Sequence, residues 1–149
     1  MIAVIQRVQN SSVSIDGNIN GECSHGLMIL LGVAKGDTEE DARLLAAKIS
    51  KLRIFCDENG KMNLSVKDID GEVLVVSQFT LLANYKKGNR PDYFGAAEPG
   101  VAIPLYELFV NLMREEVKHV GTGIFGADMK VNILNDGPVT IVMDSNQLK

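Results

Sequence analysis

Two short segments, far apart in the sequence, carry groups that suit the chemistry of one site. The first reads Ser77-Gln78-Phe79-Thr80. It follows an apolar run at 73–76, so it offers hydroxyl groups and the exposed amides of a strand end. The second, at 135–140, contains Gly137-Pro138 between two other apolar runs, and proline restricts its backbone. Because neither segment pairs a hydroxyl with a histidine, both favour chemistry carried out by positioning and main-chain groups.

Ser77 and Thr80 are candidate nucleophiles only if a base activates them, because a free hydroxyl is weak. The chain has two histidines: His25 lies in a glycine-containing turn before a strand, and His119 lies late in a predicted helix. Neither is matched to a hydroxyl, so a Ser–His mechanism is not favoured. Main-chain N–H groups around Phe79 and Thr80 could instead form an oxyanion hole, and an ordinary strand end is the simpler alternative.

The Gly137-Pro138 dipeptide favours a tight turn, because cis peptide bonds are nearly confined to the bond before proline. Glycine removes the side chain that would crowd such a turn, so consecutive carbonyls can point in nearly one direction. Two aligned carbonyls on a rigid backbone can accept hydrogen bonds from the amine of an amino acid. With the amine held there, the space left for the rest of the molecule can distinguish a D from an L amino acid. A plain turn is the simpler interpretation of the same residues.

The net charge of −4 argues against a protein that grips a long stretch of phosphate backbone, since such proteins are usually basic. A local basic patch at one end of a nucleic acid is still compatible with this charge. Lys86, Lys87 and Arg90 form such a patch within 85–91, and a solvated loop is the simpler interpretation. We therefore expect no DNA partner.

The 149 residues fit a single domain, 1–149, with a sizeable core. Cys23 and Cys56 lack metal-ligand spacing and are expected to be reduced, buried thiols, so neither a metal nor a cofactor is predicted. The first eight residues lack an export signal, and no apolar run approaches the roughly 20 residues that span a bilayer. We expect a cytoplasmic protein without a membrane partner.

Apolar runs and alternation predict six strands and two helices. The strands fall at 2–7, 12–16, 27–33, 73–78, 130–134 and 139–143, and residues 54–55 suggest a short extra strand. Thr38 caps the first helix, and Pro104 is expected in the first turn of the second, where its missing N–H is not needed. The order β-β-β-α-β-α-β-β predicts an α/β fold of mixed β-sheets with two main helices packed on one side.

Five motifs, in order along nearly the whole chain, resemble those of the D-aminoacyl-tRNA deacylase family, first called D-tyrosyl-tRNA deacylase. They lie at 1–8 (MIAVIQRV), 77–81 (SQFTL), 88–91 (GNRP), 123–129 (GIFGADM) and 135–140 (NDGPVT). Each motif alone is weakly specific. All of them together, in this order and in a chain of this length, make the resemblance highly specific.

The resemblance implies a homodimer with active sites at the subunit interface. It assigns the catalytic region to Ser77, Gln78, Phe79 and Thr80. It also implies that the Gly137-Pro138 bond is cis and that this dipeptide enters the partner's pocket, facing the catalytic region. Such a cross-subunit motif would reject L-aminoacyl groups while admitting D-aminoacyl and glycyl groups, a specificity based on repulsion.

The resemblance also assigns residues to the tRNA end. The pocket for the terminal adenine would be lined by Phe125, Gly126, Ala127 and Met129. The resemblance makes the three basic residues Lys86, Lys87 and Arg90 stronger candidates for phosphate contacts near the acceptor end. It also implies that Arg7 holds the Gly-Pro segment in place. The partner implied is therefore the acceptor end of an aminoacyl-tRNA.

The implied reaction is hydrolysis of the ester that links an amino acid to the terminal ribose of tRNA. This ester is already activated, so water can attack it while amides near Phe79 and Thr80 stabilise the oxyanion. The neighbouring ribose hydroxyl, which RNA has and DNA lacks, could help to move the proton. Thr80 is expected to position groups rather than to act as a nucleophile.

Three alternatives belong to other functional classes. A metal-dependent hydrolase is disfavoured because the sequence lacks a His-x-x-x-His or similar cluster. A non-catalytic dimeric module that binds RNA ends or a small ligand predicts binding without turnover. A peptidyl-tRNA hydrolase is a nearer alternative, and it would prefer peptidyl esters to D-aminoacyl esters.

Overall fold

The computed structural model describes residues 1–149 and contains eight strands and two α-helices. The strands are β1 (Ile2–Ile15), β2 (Asn18–Cys23), β3 (Gly26–Gly32), β4 (Phe55–Cys56), β5 (Met62–Leu64), β6 (Glu72–Ser77), β7 (Val120–Thr122) and β8 (Lys130–Asp144). The helices are α1 (Glu39–Ser50) and α2 (Pro99–Glu116), and two short 3-10 helices, Phe79–Leu82 and Ser145–Leu148, follow β6 and β8. Neither α-helix is long and apolar enough to cross a membrane.

Six strands form one mixed sheet, in which hydrogen-bonded neighbours follow the path β2-β1-β3-β6-β7. β3 and β2 pair with successive halves of β1, at 2–8 and 11–15, and β8 pairs with the other edge of β1 over residues 2–14. β1 is antiparallel to β2, β3 and β8, whereas β6 is parallel to both β3 and β7. Parallel neighbours need crossover connections, and α1 and α2 lie in the two crossovers that this sheet requires. The small β4–β5 hairpin stands apart from the main sheet.

The strands β2 and β7 approach each other so closely that the sheet is nearly closed. A Cβ atom on Gly21 would lie 2.3 Å from the carbonyl oxygen of Thr122, and one on Gly121 would lie 2.6 Å from that of Glu22. Asn20 Nδ2 donates a hydrogen bond to the Thr122 carbonyl at 2.8 Å. Only glycine permits this approach, so these two positions bring the ends of the sheet together.

The two faces of the sheet belong to different apolar clusters, because successive strand residues point to opposite sides. Leu27 and Val73 join the large cluster, which contains the buried apolar residues of both α1 and α2. Met28 and Leu74 join a smaller cluster, which contains no helix residue. Both helices therefore pack on one side of the sheet, and the predicted mixed α/β class with two main helices is confirmed.

The N-terminus of α1 follows the prediction, with Thr38 as its N-cap residue. Its amide donates to Asp41 Oδ2 at 2.8 Å, and the Asp41 amide donates to the Thr38 carbonyl at 3.0 Å. These bonds use backbone groups that the first turn of a helix leaves without partners. The apolar stripe of α1, including Leu45 and Ile49, is buried in the large cluster.

The first two predicted strands, 2–7 and 12–16, are a single strand, and β2 was not predicted. The polar residues at 9–12 interrupt the apolar alternation, but β8 continues to pair with β1 across them. Ser11 is buried there and donates through Oγ to the Asn132 carbonyl at 2.6 Å. β2 escaped detection because Ile19 is its only large apolar residue and is exposed.

The prediction for the second helix was wrong at its start. α2 begins at Pro99, which fills the first helical position, and Pro104 lies inside the helix. The interior proline leaves the carbonyl of Gly100 without its usual donor, and both residues are exposed, so water can satisfy that group. α2 ends at Glu116, before Gly121, which belongs to β7.

Candidate functional site

A cavity of about 470 Å³ opens where β6 ends. Its walls include residues of two predicted segments, the catalytic region at 77–79 and the proposed adenine pocket at 125–129, together with Ala96, Ala97 and Pro99. Val76 and Val131 also line it. The fold thus brings together two motifs that the sequence separates, and the cavity size is typical of small-ligand sites.

The strand end leaves two amides at or beside this cavity, that of the lining residue Phe79 and that of Thr80, which directly follows it. β6 stops at Ser77, the Gln78 amide donates to the Leu31 carbonyl at 2.8 Å, and the chain then enters the 3-10 helix. The first internal bond of that helix runs from the Leu81 amide to the Gln78 carbonyl at 3.3 Å. The amides of Phe79 and Thr80 precede this bond, so the helix itself does not use them.

The hydroxyl of Thr80 is bound locally rather than activated by a base. It accepts a hydrogen bond from Gln78 Nε2. The two histidines are engaged elsewhere: the His25 ring packs edge-on against Phe55 at a centroid distance of 5.4 Å, and His119 Nε2 lies 2.8 Å from the Glu22 carbonyl oxygen. Neither histidine lines the cavity. The site therefore contains no Ser–His or Thr–His pair.

The 125–129 part of the cavity lining is connected to the helical core through Phe125. This ring packs against Tyr106 of α2 at a centroid distance of 6.4 Å. The Tyr106 hydroxyl donates to the Val75 carbonyl of β6 at 2.9 Å, and burial raises the pKa of Tyr106 to about 12. Tyr106 therefore stays protonated and links the strand that ends at the catalytic region to the segment that forms the facing wall. The sequence alone did not identify this role.

Gly137-Pro138 is a bulge within one strand, not a turn between two. The strands predicted at 130–134 and 139–143 are both parts of β8. Gln6 pairs with Thr140 and Val8 pairs with Asn135, so four residues of β8 stand opposite the single residue Arg7. The prediction failed here because both halves of β8 pair with the same long strand β1. The Gly137–Pro138 peptide bond is cis, as the resemblance implies.

Asn135 closes the base of this bulge. Its Oδ1 accepts from the Val139 amide at 3.1 Å, and its Nδ2 donates to the Val139 carbonyl at 3.2 Å and to Gln6 Oε1 at 2.7 Å. Such side-chain bonds replace the ladder bonds that the extra residues interrupt. Asn135 and Gln6 were not singled out as site residues, although asparagine two residues before a Gly-Pro pair is a recognisable turn signal.

Arg7 anchors the bulge through hydrogen bonds. Its Nε donates to the Asp136 carbonyl at 3.1 Å, and its Nη1 donates to the Ile54 carbonyl at 2.8 Å. An ion pair to Asp136 Oδ2 at 3.5 Å adds to these bonds, and only 8% of the Arg7 surface is exposed. The guanidinium therefore connects β1, the bulge of β8 and the segment before β4.

Three groups of predicted site residues lie outside the cavity lining, and the first is Thr80, which directly follows the lining residue Phe79. Gly137 and Pro138 do not line it, and they belong to β8, whose only strand partner is β1. Lys86, Lys87 and Arg90 are exposed on a separate loop and do not line it either. The cavity of a single chain is thus lined by residues 77–79 and by the 125–129 wall, without the Gly-Pro segment.

Neither cysteine lines the cavity. Cys23 is buried, and its pKa is raised to about 12, chiefly by burial and then by Glu72. Cys56 was expected to be buried but is exposed, because it ends the two-residue strand β4 at the surface. Both are free thiols, and the structure contains no group of three or more His, Cys, Asp or Glu side chains that could hold a metal ion.

Comparisons with known proteins give a consistent family assignment. The family described as "D-Tyr-tRNA(Tyr) deacylase" matches residues 4–144. A protein named D-aminoacyl-tRNA deacylase from Sulfurihydrogenibium sp. is 61% identical over 148 residues, covering 99% of this chain and 100% of that protein. One of the same name from Flavobacterium johnsoniae is 57% identical over 146 residues, covering 97% of each chain.

Two solved structures share the fold. One, titled "c-Myc DNA Unwinding Element Binding Protein", has a TM-score of 0.91 at 40% identity and covers 97% of this chain and 98% of its own. The other is titled "Structural Analysis of a probable eukaryotic D-amino acid tRNA deacylase" and has a TM-score of 0.82 at 15% identity, over 96% and 98% of the two chains. At 15% identity the second likeness concerns the fold alone.

Proposed function

The chain belongs to the D-Tyr-tRNA(Tyr) deacylase family, and we propose that it hydrolyses the ester bond of D-aminoacyl-tRNA to release the free amino acid and tRNA. The observation that carries this proposal is the cavity that joins the catalytic region at 77–79 to the wall at 125–129. It offers amides and an apolar pocket but no base-activated hydroxyl. Such a site suits an ester that is already activated and needs mainly positioning and charge stabilisation.

In the proposed reaction, water attacks the ester carbonyl and forms the new C–O bond. The amides of Phe79 and Thr80 stabilise the oxyanion, each contributing about 3 kcal/mol. The bond to the ribose oxygen then breaks, and the proton lost by water is taken up by that leaving oxygen. The adjacent ribose hydroxyl assists this transfer, which restricts the substrate to RNA. Thr80 positions these groups through its hydrogen bond with Gln78.

The apolar cavity would hold the terminal adenosine. Phe125, Gly126, Ala127 and Met129 form one wall, and Phe125 is fixed by Tyr106. An aromatic face and small residues suit a flat base, and the catalytic region then lies beside the ribose ester. Lys86, Lys87 and Arg90, exposed on the loop after the catalytic region, would contact phosphates of the acceptor end.

We further propose a homodimer in which each chain places Gly137-Pro138 over the cavity of its partner. This proposal is supported by two features: the dipeptide bulges from β8 outside its own cavity, and β8 has a free edge with an exposed Val142. An L-substrate would direct its side chain at the dipeptide, whereas a D-substrate directs it outward. Glycine has no side chain to clash, so glycyl-tRNA is also a substrate.

The decisive experiment is hydrolysis of matched D-aminoacyl-, L-aminoacyl- and glycyl-tRNA by the purified protein. We expect release from the D and glycyl substrates, none above background from the L substrate, and no effect of a strong chelator. Binding of the tRNA end without turnover would instead establish a binding module. Faster release from peptidyl-tRNA than from D-aminoacyl-tRNA would establish a peptidyl-tRNA hydrolase. We also propose that the protein works in the cytoplasm, because its proposed substrate is aminoacyl-tRNA.

A further inference from the structure

A rim of exposed aromatic rings borders the proposed adenosine cavity. Phe79 lines the cavity, yet 54% of its surface is exposed, and Tyr93 packs edge-on against it at a centroid distance of 5.1 Å. Phe94 follows, with 78% of its surface exposed, two residues before Ala96, which lines the same cavity. The proposed reaction at the cavity requires only the backbone of this rim, so the three rings are not explained by catalysis.

A basic loop, closed by hydrogen bonds across its base, adjoins this rim. The Asn84 amide donates to the Asp92 carbonyl at 2.8 Å, and the Asp92 amide donates back to the Asn84 carbonyl at 2.9 Å. A further bond joins Asn84 Nδ2 to Asp92 Oδ2 at 3.1 Å. Tyr93 directly follows this closure, so the base of the loop at 85–91 lies next to the aromatic rim.

The charge of the loop contrasts with that of the whole protein. Between Glu72 and Asp92 the chain carries Lys86, Lys87 and Arg90 and no acidic residue, although the net charge is −4. None of these three side chains forms an ion pair, whereas six other lysine or arginine side chains in the protein do. Cations that are exposed, unpaired and clustered in an acidic protein favour a negatively charged partner.

Exposed aromatic rings next to unpaired cations match the chemistry of single-stranded RNA. Every base has a π-face that stacks on an aromatic side chain, and each linkage carries a phosphate for Lys or Arg. We propose that Phe94, with Tyr93 and the loop at 85–91, forms a subsite for the unpaired nucleotide that precedes the terminal adenosine. This inference rests on the proposed function, because that function places the terminal adenosine in the adjacent cavity.

The subsite can be tested with short substrates that differ by one nucleotide. The wild-type protein is given the same D-aminoacyl group as an ester of adenosine and as an ester of the dinucleotide cytidylyl-adenosine, and kcat/KM is measured for both. We expect the dinucleotide ester to be better by about tenfold, a gain in the range of one stacked base. The Phe94→Ala variant should reduce this ratio to about two, whereas the control Met62→Ala, an exposed apolar residue on the β4–β5 hairpin, should keep it.

A second variant separates stacking from charge. In this variant Lys86, Lys87 and Arg90 are all replaced by glutamine, and kcat/KM for the dinucleotide ester should then depend less on salt concentration. At high salt, its ratio of kcat/KM for the dinucleotide ester to that for the adenosine ester should still exceed the ratio of Phe94→Ala. Equal kcat/KM for the two esters in the wild type, or an unchanged ratio in Phe94→Ala, overturns the subsite. The subsite is also overturned if size-exclusion chromatography shows that Phe94→Ala has lost the dimer and this loss accounts for its reduced ratio. The Phe94 ring would then contact a second copy of the chain instead of a nucleotide.

The subsite and the proposed function can fail separately. If neither ester is hydrolysed, the proposed function fails, and binding of a labelled cytidylyl-cytidylyl-adenosine trinucleotide still tests the subsite. We then expect about tenfold weaker binding by Phe94→Ala than by the wild type and Met62→Ala. Equal binding by all three proteins would refute the subsite whatever the fate of the enzymatic proposal.

Discussion

Arg7 Nε lies 3.1 Å from the carbonyl oxygen of Asp136, the residue immediately before Gly137-Pro138. The two residues are 129 positions apart in the sequence, and the guanidinium that joins them is almost fully buried. Because Arg7 also donates to the Ile54 carbonyl, the bulge of β8 is fixed to two other parts of the fold. The shape of the Gly-Pro segment therefore depends on a side chain from the first strand.

Replacing Arg7 by lysine should lower the kcat/KM for D-aminoacyl-tRNA by about tenfold. Lysine keeps the positive charge but cannot make both directed bonds, to Asp136 and to Ile54, from one planar group. The loosened bulge should also admit L-aminoacyl-tRNA, so the ratio of D to L hydrolysis should fall. Arg43→Lys, at an exposed pair with Glu39, serves as the control. If Arg7→Lys lowered the melting temperature but left the ratio of D- to L-aminoacyl-tRNA hydrolysis unchanged, the role of Arg7 would be purely structural.

Replacing Gly137 by alanine should reduce deacylation of D-substrates by about tenfold or more. Gly137 has a φ of +124°, and an added Cβ would lie 2.7 Å from Arg7 Nη2 and 3.0 Å from Val139 Cγ2. Backbone strain of this kind costs about 1–3 kcal/mol, and the clash would displace the segment. Gly36→Ala is a matched control, because Gly36 has a φ of +88° but open space around it. Full activity of Gly137→Ala in a deacylation assay would contradict the stereochemical filter.

Mixing two impaired variants should raise activity above that of either variant alone if the Gly-Pro segment serves the partner's cavity. Gly137→Ala impairs the segment, and Ala127→Phe fills the cavity that Ala127 lines. In a mixed dimer, the intact cavity of one chain meets the intact segment of the other, so random assortment should recover about a quarter of the sites. The measurement is deacylation after unfolding and refolding the variants together. No recovery, despite mixed dimers in native mass spectrometry, would mean that each segment serves its own chain.

Replacing Thr80 by alanine should weaken deacylation about fivefold without abolishing it, since one hydrogen bond to Gln78 is lost. Thr80→Ser keeps the hydroxyl and should retain most of the activity. The rate constants should be measured under single-turnover conditions. Mass spectrometry of the quenched reaction should detect no aminoacyl adduct, and an adduct on Thr80 or Ser77 would turn this positioning residue into a nucleophile.

Asp41 should make stability depend on pH. Burial acts to raise its pKa, but hydrogen bonds from the Ser145 hydroxyl, the Thr38 amide and Lys149 outweigh it and hold the pKa below its usual range. Its contribution is therefore complete above the unfolded pKa of about 4 and is lost as the pH falls below it. Asp41→Asn should cost about 2 kcal/mol in urea unfolding at pH 7, and the difference from wild type should shrink below pH 4.

The exposed Asp70→Asn serves as the control for this measurement and should leave stability nearly unchanged at both pH values, because its pair with Lys118 lies at the surface. A cost of Asp41→Asn that stays constant down to pH 2 would show that the loss comes from packing rather than from the charge.

Local patterns were enough to predict much of the fold. The N-cap at Thr38, the helical stripe of α1 and the apolar runs of β3 and β6 each depend on neighbours within a few residues. Helix capping and side-chain periodicity act over that range, so the α/β class followed from them. Pro104 shows the limit of such reasoning: a proline can sit inside a helix when the carbonyl it deprives of a donor is exposed.

The sequence by itself determined which residues are candidates for the chemistry, because the hydroxyl-and-amide segment and the Gly-Pro dipeptide are visible as residue types in order. The tertiary structure alone decided how they are held. One strand, β1, pairs with both halves of β8, so the dipeptide became a bulge rather than a turn. Tyr106 and Arg7 acquired their roles through contacts with Val75 and Asp136 that are remote in sequence. Hydrogen bonds between distant residues exist only after the core has packed, and no local pattern encodes them.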